Sequence, residues 1–283
     1  MMQQKLLKSP MNYIGNKYRL LPQMLELFPK HTPVFLDLFC GGLDVAINAN
    51  ADRVIANDIN YHLIDIYKTF KNLGYDTVYK KLSEMEKSYE LSKENADGFL
   101  KLRDQYNLSK ERDPLMLFLL MNYSFNYQIR FNTAHEFNTP FGRNRSSWNS
   151  SLKERLPLFI QKIEQIELQS EDFRKVDLNE VTFIYADPAY TLSIGSYNDG
   201  KRGFKGWQLQ DDIDLMELLD YADMRRIKFA LSDVLEHKGQ VHKEMTEWAK
   251  KYHVHNMNCN YNNCNYQVKD KESNTREVLI TNY

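Results

Sequence analysis

The chain has 283 residues, of which 42% are hydrophobic and 27% are charged, so it is long enough to bury a sizeable core. Lysine and arginine number 37 against 38 acidic residues, and this balance excludes a chain that is basic throughout, although a local basic face can still bind nucleic acid. Three cysteines are too few for a disulfide framework, and neither a signal peptide nor an apolar run of about 20 residues is present, so we expect a reducing, cytoplasmic compartment and no membrane contact.

The first part of the chain, residues 1–61, predicts one βαβ unit. The segment PVFLDLFCGGLDVAINA begins as a short buried strand, turns at Gly41 and Gly42, and continues with the pattern of a helix that starts near Asp44. RVIANDIN is a second β-branched strand, followed closely by Asp58. A strand, a helix and a strand in this order favour a parallel sheet with a right-handed crossover.

The middle of the chain, residues 62–171, has a different pattern. Helical segments rich in Tyr, Lys, Glu and Leu are followed by the polar, aromatic stretch NYSFNYQIRFNTAHEFNTPFGRNRSSWN, which we call the hairpin segment, residues 122–149. We interpret the whole range as an insertion, a mainly helical subdomain that carries a β-hairpin or a long loop.

Residues 172–283 return to the α/β pattern. VTFIYA and IKFALS are two buried strands, and QDDIDLMELLDYADMRR between them has the period of a helix. The two outer parts of the chain therefore predict one doubly wound, Rossmann-like α/β domain into which the middle part is inserted.

Acidic residues lie at the ends of three predicted strands, namely Asp37, Asp58 and Asp187. In open α/β sheets ligands bind beyond the carboxyl ends of the strands, and Asp58 lies at a spacing from the Gly41 turn at which an acid can hold a ribose diol. The turn lacks the complete G-x-G-x-x-G pattern of a pyrophosphate clamp. The sequence therefore favours S-adenosyl-L-methionine, a nucleoside cofactor without phosphates, over NAD.

Five motifs occur along the chain in the order MNYIGNKYRLLP, FLDLFCGG, ANDIN, DPAY and TREVLITNY. This ordered set resembles the motifs of the Dam-like DNA adenine-N6 methyltransferases, the alpha-ordered group whose target-recognition domain is inserted before the catalytic tetrapeptide. One position departs from the family pattern, since Ala189 stands where the family usually has the second proline of Asp-Pro-Pro-Tyr.

The resemblance implies a site that methylates an adenine amino group in double-stranded DNA. Asp187 and the carbonyl of Pro188 would accept the amino hydrogens, and Tyr190 would stack on the flipped base. Lys17 would contact the methionyl end of the cofactor. The expected cofactor-binding residues are Tyr13, Gly15, Lys17, Asp37, Phe39, Gly41, Asp58 and Asp187.

The hairpin segment resembles the recognition hairpin of the same family. Residues 128–155 carry five basic and two acidic side chains, together with amide groups suited to base edges. We expect Arg130 to read a base, and Lys153 and Arg155, at the start of a helix, to hold phosphates. The expected DNA-binding residues are Asn126, Gln128, Arg130, Asn132, Pro140, Arg143 and Arg145. A four-base site of the GATC kind is compatible with this resemblance.

The cysteines have simpler interpretations than metal binding or nucleophilic catalysis. HVHNMNCNYNNC brings His253, His255, Cys259 and Cys264 together, but their spacing fits no standard zinc frame, so we expect no metal site and a strand paired with EVLITNY. Cys40 lies in the cofactor turn, and transfer to an exocyclic amine needs no covalent intermediate. We therefore expect Cys40 to be a packing residue.

Two alternatives stay open on the sequence alone. One is a non-catalytic DNA-binding relative in which Ala189 accompanies lost methyl transfer, and the other is an NAD(P)-linked oxidoreductase on a Rossmann core. The sequence also leaves open the recognised DNA site, a separately acting restriction endonuclease, and whether the chain works on DNA in a bacterial or a phage-infected cell.

Overall fold

In a computed structural model of the chain, residues 6–13, 15–192, 207–258 and 275–283 are described. Eight strands in these ranges form one sheet. They are β1 (Thr32–Asp37), β2 (Ala51–Asn57), β3 (Ile166–Gln169), β4 (Phe183–Ala186), β5 (Lys228–His237), β6 (Gln240–Val241), β7 (His253–Asn256) and β8 (Thr275–Thr281).

The order of the strands places a crevice at the carboxyl ends of the central strands. The order is β3-β2-β1-β4-β5-β8-β7, with β6 paired to β5. The strands β1 to β5 pair in parallel, whereas β8 is antiparallel to both β5 and β7. The chain moves outward from β1 to β3 and then returns to place β4 on the other side of β1. The order therefore reverses between β1 and β4, where doubly wound sheets bind ligands.

Helices cover both faces of this sheet. The α-helices of the described residues are α1 (Leu21–Leu27), α2 (Tyr61–Ser88), α3 (Ala96–Leu108), α4 (Pro114–Tyr123), α5 (Ser150–Ile163), α6 (Leu209–Met224) and α7 (Lys243–Trp248). Because successive strand residues face opposite sides, Phe35 and Phe183 pack with α1, whereas Leu36 and Ile184 pack with α6 and α7. The predicted doubly wound α/β architecture is confirmed.

The helices α2 to α5 share an apolar core of their own, which continues onto the sheet at Ile166. Gly74, with φ 71° and ψ 167°, divides α2 into two helical parts. Phe118 of α4 lies at the centre of the core, with its ring 5.1 Å from that of Phe70 and 5.2 Å from that of Trp148. A mainly helical subdomain therefore packs beside the sheet.

The prediction of a helix that starts near Asp44 is wrong, because only a single 3₁₀ turn, Ala46–Asn48, follows the glycine turn. The polar side chains of this segment bind the N-terminal residues instead. Asp44 accepts a hydrogen bond from Ser9 N at 2.9 Å, and Asn48 exchanges two hydrogen bonds with the backbone of Leu7. Such side-chain to backbone bonds compete with helix formation.

The expected limit of the insertion at residue 171 lies too far along the chain. The strand β3 falls inside the range 62–171, yet it pairs in parallel with β2 and forms the edge of the central sheet. The sequence pattern missed β3 because the strand has only four residues and follows α5 directly. The residues of β3 therefore belong to the sheet.

The hairpin segment folds back on itself without forming regular strands. Ser124 pairs with Phe141, and Phe131 pairs with Phe137, as isolated antiparallel bridges. Asn126 and Tyr127 both have positive φ, of 54° and 56°, at the start of this loop. The segment is therefore a long loop with hairpin connectivity.

The expected strand pair near the C-terminus is confirmed, since β7 lies antiparallel to β8. Cys259 and Cys264 lie outside the described residues, so the absence of a zinc site stays a prediction. Among the described residues, no helix combines the length and the apolar character needed to cross a membrane.

Candidate active site

A cavity of about 650 Å³ lies at the carboxyl ends of β1 to β4, where the strand order reverses. All ten residues that the sequence predicts for cofactor binding or catalysis line it, namely Tyr13, Gly15, Lys17, Asp37, Phe39, Gly41, Asp58, Asp187, Pro188 and Tyr190. Ala189 lines it as well. The ten predicted residues come from four separate segments of the chain, which meet at this pocket. The individual roles of these residues remain predictions.

Lys17 is the centre of a buried charge cluster. Its Nζ lies 3.2 Å from Oδ1 of Asp187 and 3.0 Å from Oε1 of Glu277, and it also donates to the hydroxyl of Tyr190. Burial lowers the pKa of Lys17, but the two carboxylates together outweigh burial and raise the pKa above its usual value. One ammonium faces two carboxylates, so these three described groups together carry a net charge of minus one when all of them are ionised.

Asp187 keeps one carboxylate oxygen for a ligand. The hydroxyl of Tyr190 donates to Oδ1 at 2.8 Å and Lys17 approaches the same oxygen, whereas Oδ2 has no hydrogen-bond partner in the described part of the chain. Burial raises the pKa of Asp187, and Lys17 and Tyr190 act in the opposite direction. Asp187 therefore offers an acceptor in the pocket, and its negative charge is stabilised by Lys17.

Lys17 has a different set of contacts from the one the sequence suggests. An ammonium group has three N–H donors, and Asp187, Glu277 and Tyr190 supply three acceptors. A contact with the cofactor would have to share one of these donors, so that contact stays a prediction. Glu277 was missed by sequence reasoning, although it is 3% exposed and begins the apolar run EVLI in β8. A buried acid at the start of an apolar strand is the signal that could have identified it.

Asp37 provides a buried carboxyl group that lacks a partner. Both of its oxygens are buried, and neither has a hydrogen bond of standard geometry to a described residue, although the backbone of Ala46 acts to lower the pKa of this carboxyl group. Burial, together with the nearby charge of Asp187, raises the pKa of Asp37 well above its usual value. Because unpaired polar groups are costly in a protein interior, a cationic group bound in the pocket would gain from pairing with Asp37.

The pocket as a whole is acidic. Its described lining contains seven acidic residues and two basic ones, Lys17 and Arg174. Arg174 is itself held by three carboxylates, those of Asp172 at 3.1 Å, Asp214 at 2.6 Å and Asp211. This charge favours a cationic ligand, such as one with a sulfonium and an ammonium group, and disfavours the pyrophosphate of a dinucleotide.

The glycine turn brings the backbone close to an aromatic ring. Gly41 has φ of 43°, and a Cβ atom there would lie 3.1 Å from the ring of Tyr13. Asp58 fixes the turn, since Oδ2 accepts from Gly41 N at 3.0 Å and Oδ1 accepts from Asn60 N at 2.8 Å. Each oxygen retains a second lone pair, so the predicted ribose contact is compatible with this anchoring role.

An aromatic wall, which we define as Phe39, Phe173 and Trp207, closes one side of the pocket. The ring of Phe39 lies 5.5 Å from each of the other two, and those two rings are 5.6 Å apart. Sequence reasoning missed Phe173 because it follows β3, and missed Trp207 because no periodic pattern marks its position. The wall offers apolar surface suited to a flat ring such as adenine.

Cys40 has the surroundings of a packing residue. It is buried, and burial raises the pKa of its thiol well above the usual value, with the charges of Asp58 and Asp37 acting in the same direction. A protonated, buried thiol is a poor nucleophile. The structure therefore supports packing as the use of Cys40.

The hairpin segment presents most of its predicted DNA-binding residues to solvent. Asn126, Pro140, Arg143 and Arg145 are exposed, and Gln128 and Arg130 are half-buried. The guanidinium of Arg145 lies 5.8 Å from the ring centre of Phe125, which is 40% exposed. An exposed arginine beside an exposed aromatic ring is a combination suited to nucleic-acid contact.

Three polar residues that were expected to contact DNA have partners within the protein. The side chain of Asn132 accepts from Ala134 N and Glu136 N and donates to the Glu136 carboxylate, which closes the tip of the loop. Lys153 of α5 binds Glu86 at 2.7 Å. Arg155, also in α5, donates to the carbonyl of Ser151 at 3.0 Å. A phosphate contact of Lys153 would have to compete with Glu86, so the predicted DNA contacts of these three residues stay predictions.

Comparison with known proteins gives consistent results. Residues 13–263 match the family model described as D12 class N6 adenine-specific DNA methyltransferase. Type II methyltransferase M.FokI of Planomicrobium okeanokoites is 42% identical over 98% of this chain, and Modification methylase StsI of Streptococcus sanguinis is 41% identical over 99%. The chain spans 43% of the length of each of these two relatives. A DNA adenine methylase of Escherichia coli strain K12 is 25% identical over 85% of this chain and 84% of its own length.

Proposed function

Since the chain belongs to the D12 class N6 adenine-specific DNA methyltransferase family, we propose that it methylates the N6 amino group of adenine at a short, specific site in double-stranded DNA, with S-adenosyl-L-methionine as the methyl donor. The observation that carries the proposal is the cluster of Lys17, Asp187, Glu277 and Tyr190, which leaves Oδ2 of Asp187 as an acceptor in the pocket.

The target adenine must first leave the base stack, at a cost of a few kcal/mol. An exocyclic amino nitrogen is a poor nucleophile because its lone pair is delocalised into the ring. Oδ2 of Asp187 and the carbonyl of Pro188 accept the amino hydrogens, which localises that pair and directs it at the methyl group. The fixed φ of proline holds this carbonyl in one direction.

Charge in the cluster assists the same step. The nitrogen becomes positive as it gains a methyl group, and the net negative charge of the ionised cluster stabilises that development in a water-poor site. Oδ2 of Asp187 then takes the released proton, a task for which the raised pKa of its carboxyl group is suited.

The residues around the pocket fit the proposed methyl donor. When bound, S-adenosyl-L-methionine supplies a methyl group activated by a sulfonium charge. The carboxyl of Asp37 would pair with its ammonium group, Asp58 would hold the ribose, and the aromatic wall would contact the adenine. The acidic lining supports a donor that carries two cationic groups and opposes NAD(P).

The hairpin segment is the proposed reader of the DNA sequence. Arg130 would contact a guanine edge, while Arg143 and Arg145 would hold phosphates of the same duplex. Relatives named as Type II and modification methylases support a role in restriction and modification, with an endonuclease that acts separately on the same site. The proposed place of action is the cytoplasm, on chromosomal or phage DNA.

The test is transfer of labelled methyl groups from S-adenosyl-L-methionine to duplex DNA. We expect label at adenine N6, and sequencing of modified bases after expression in a methylation-deficient host should reveal one short motif. Binding of DNA without transfer would support the non-catalytic alternative. Tight binding of NAD(P)H in a titration, with no binding of S-adenosyl-L-methionine, would support an oxidoreductase and contradict the proposal.

A further inference from the structure

Asp212, in the first turns of α6, receives hydrogen bonds from Trp207, five residues before it, and from two more distant residues, Thr191 and His242. Its Oδ1 accepts from Trp207 Nε1 at 2.7 Å, and its Oδ2 accepts from His242 Nε2 at 3.0 Å and from the hydroxyl of Thr191. Asp212 is 1% exposed and His242 is 3% exposed. A single buried carboxylate therefore joins α6 to the segments on either side of it.

The three donors account for a carboxylate in this buried position. A buried carboxylate is costly unless its oxygens accept hydrogen bonds, and the three donors to Asp212 meet this need. Met245 N donates to Nδ1 of His242 at 3.2 Å, so Nε2 carries the proton that Asp212 accepts. Loss of the carboxylate would leave the buried His242 and the half-buried Thr191 and Trp207 without their acceptor.

Two of the donors lie next to the pocket, although Asp212 itself does not line it. Thr191 directly follows Tyr190, whose hydroxyl donates to Oδ1 of Asp187. Trp207 is part of the aromatic wall, with its ring edge-on to that of Phe39 at 5.5 Å. Each contact therefore reaches a different part of the site.

We propose that Asp212 is a positioning residue with two separable effects. Through Thr191 it orients the catalytic segment from Asp187 to Tyr190 for methyl transfer, and through Trp207 it orients the aromatic wall for the methyl donor. This inference rests on the proposed function. Asp212 would act on the site only through Thr191 and Trp207, because it does not line the pocket itself.

The same helix offers a matched control. Asp220, two turns further along α6, accepts from Trp248 Nε1 at 2.8 Å, from the hydroxyl of Tyr252 at 2.7 Å and from Lys251 at 2.6 Å. None of these four residues lines the pocket. Asp220→Asn and Trp248→Phe therefore remove indole and hydroxyl hydrogen bonds in the same helix and away from the site, at a carboxylate that is 36% exposed and also pairs with Lys251.

The experiment separates the two effects by measuring two quantities. One is the dissociation constant of S-adenosyl-L-methionine without DNA, by calorimetry, and the other is the single-turnover rate of transfer at saturating donor. Thr191→Val should lower the rate about tenfold with an unchanged dissociation constant. Trp207→Phe, which keeps a ring but loses the N–H, should raise the dissociation constant about five- to tenfold with a smaller effect on the rate. These fold-changes correspond to the loss of one buried hydrogen bond.

The double effect is expected only at Asp212. Asp212→Asn should change both quantities, whereas Asp220→Asn and Trp248→Phe should change neither. His242→Gln keeps an N–H donor near the position of Nε2 and should stay close to the unaltered chain. Thermal unfolding shows whether each variant folds. If Asp212→Asn does not fold, the Thr191 and Trp207 variants still test the two effects separately.

Two results would overturn the inference. One is equal effects of Asp212→Asn and Asp220→Asn, and the other is the same change of both quantities in Thr191→Val and Trp207→Phe. Failure of the proposed function is distinguishable, because then the unaltered chain transfers no methyl group.

An NMR spectrum tests the contact with Trp207 whether or not transfer occurs. The chain has three tryptophans, and Trp207→Phe identifies the indole N–H signal of Trp207. This signal should shift in Asp212→Asn and not in Asp220→Asn.

Discussion

Lys17 in the pocket and Arg145 on the hairpin segment are both cations of a proposed DNA-modifying enzyme, yet their surroundings differ. Lys17 is 7% exposed and lies among three acceptors of the protein. Arg145 is exposed and lies over the ring of Phe125. The pocket orders its charges before a ligand arrives, which lowers the cost of reaching the transition state. The hairpin segment presents its charges to a partner, which suits a surface that binds phosphates and base edges.

The largest effect should come from removing the cation of the pocket. Lys17→Met leaves the carboxylates of Asp187 and Glu277 buried together, and we expect the free energy of unfolding to fall by about 3–5 kcal/mol at neutral pH. Without Lys17 the pKa of Asp187 rises further, so protonation relieves the repulsion. The deficit should therefore shrink as the pH falls toward 4 and grow as the pH rises. Denaturant unfolding across this pH range measures it.

The control for Lys17→Met is Lys153→Met, in the helical subdomain. Lys153 and its partner Glu86 are 27% and 24% exposed, and solvent-screened pairs contribute about 1 kcal/mol or less. Equal losses in the two variants would mean that burial does not distinguish the two regions in the way the structure indicates.

Asp187→Ala should abolish most of the activity and leave the fold intact. Lys17 keeps Glu277 as a partner, so stability should change less than in Lys17→Met. The rate of methyl transfer should fall by at least about a hundredfold, because the acceptor for the amino group is lost, while donor and DNA affinities stay near their original values. Single-turnover rates and binding titrations test this, and a variant that remains active would contradict the mechanism.

The pH profile of the unaltered chain provides a second test of Asp187. Transfer requires the ionised carboxylate, and burial raises the pKa of this group. The rate should therefore decline as the pH falls, starting above the usual range of an aspartate pKa, which is about 4.

Arg130→Ala should have an intermediate effect that depends on the DNA sequence. Loss of a base contact should cost about 1–3 kcal/mol of binding to the recognised site and relax discrimination at one base pair. Binding to the recognised duplex and to duplexes with single substitutions measures both. Equal weakening on every duplex would make Arg130 a phosphate contact.

Arg145→Ala should have a smaller effect that is the same on all duplexes. A phosphate contact adds about one unit to the slope of affinity against salt, so the variant should lower that slope by about one. Lys153→Ala is the matched comparison, because Lys153 already has Glu86 as a partner, and we expect this variant to change the slope less than Arg145→Ala does. A lower slope in Lys153→Ala alone would mean that Lys153 contacts a phosphate and that Arg145 does not.

The smallest effect is expected at the position that departs from the family pattern. Ala189→Pro should leave transfer unchanged or raise it, because Pro188 already sets the direction of the carbonyl and a second ring only stiffens the backbone beyond it. A large loss in the transfer assay would mean that this backbone depends on alanine.

The sequence by itself determined where the pocket lies and a part of what lines it. Strand-like runs that end on Asp37, Asp58 and Asp187 predict residues at one edge of a parallel sheet, since the carboxyl ends of parallel strands meet there. The three acids lie around the same cavity for this reason. Tyr13, Gly15 and Lys17, which precede β1, were expected there only from the resemblance to the methyltransferase family, and they line the cavity as well. Local periodicity also sufficed for the strand pair β7 and β8.

Only the tertiary structure decided which groups are partners. Periodicity reports whether a residue is buried but not what it meets, so the pairing of Lys17 with Glu277, 260 positions away, left no local signal. The strand β3 became recognisable only through its ladder with β2. Asp44 and Asn48 form hydrogen bonds with Ser9 and Leu7 and are not part of an α-helix. Lys153 forms an ion pair with Glu86. Contacts between distant segments form only when the chain is folded, and these contacts decided the partners of Lys17, Asp187 and Asp212.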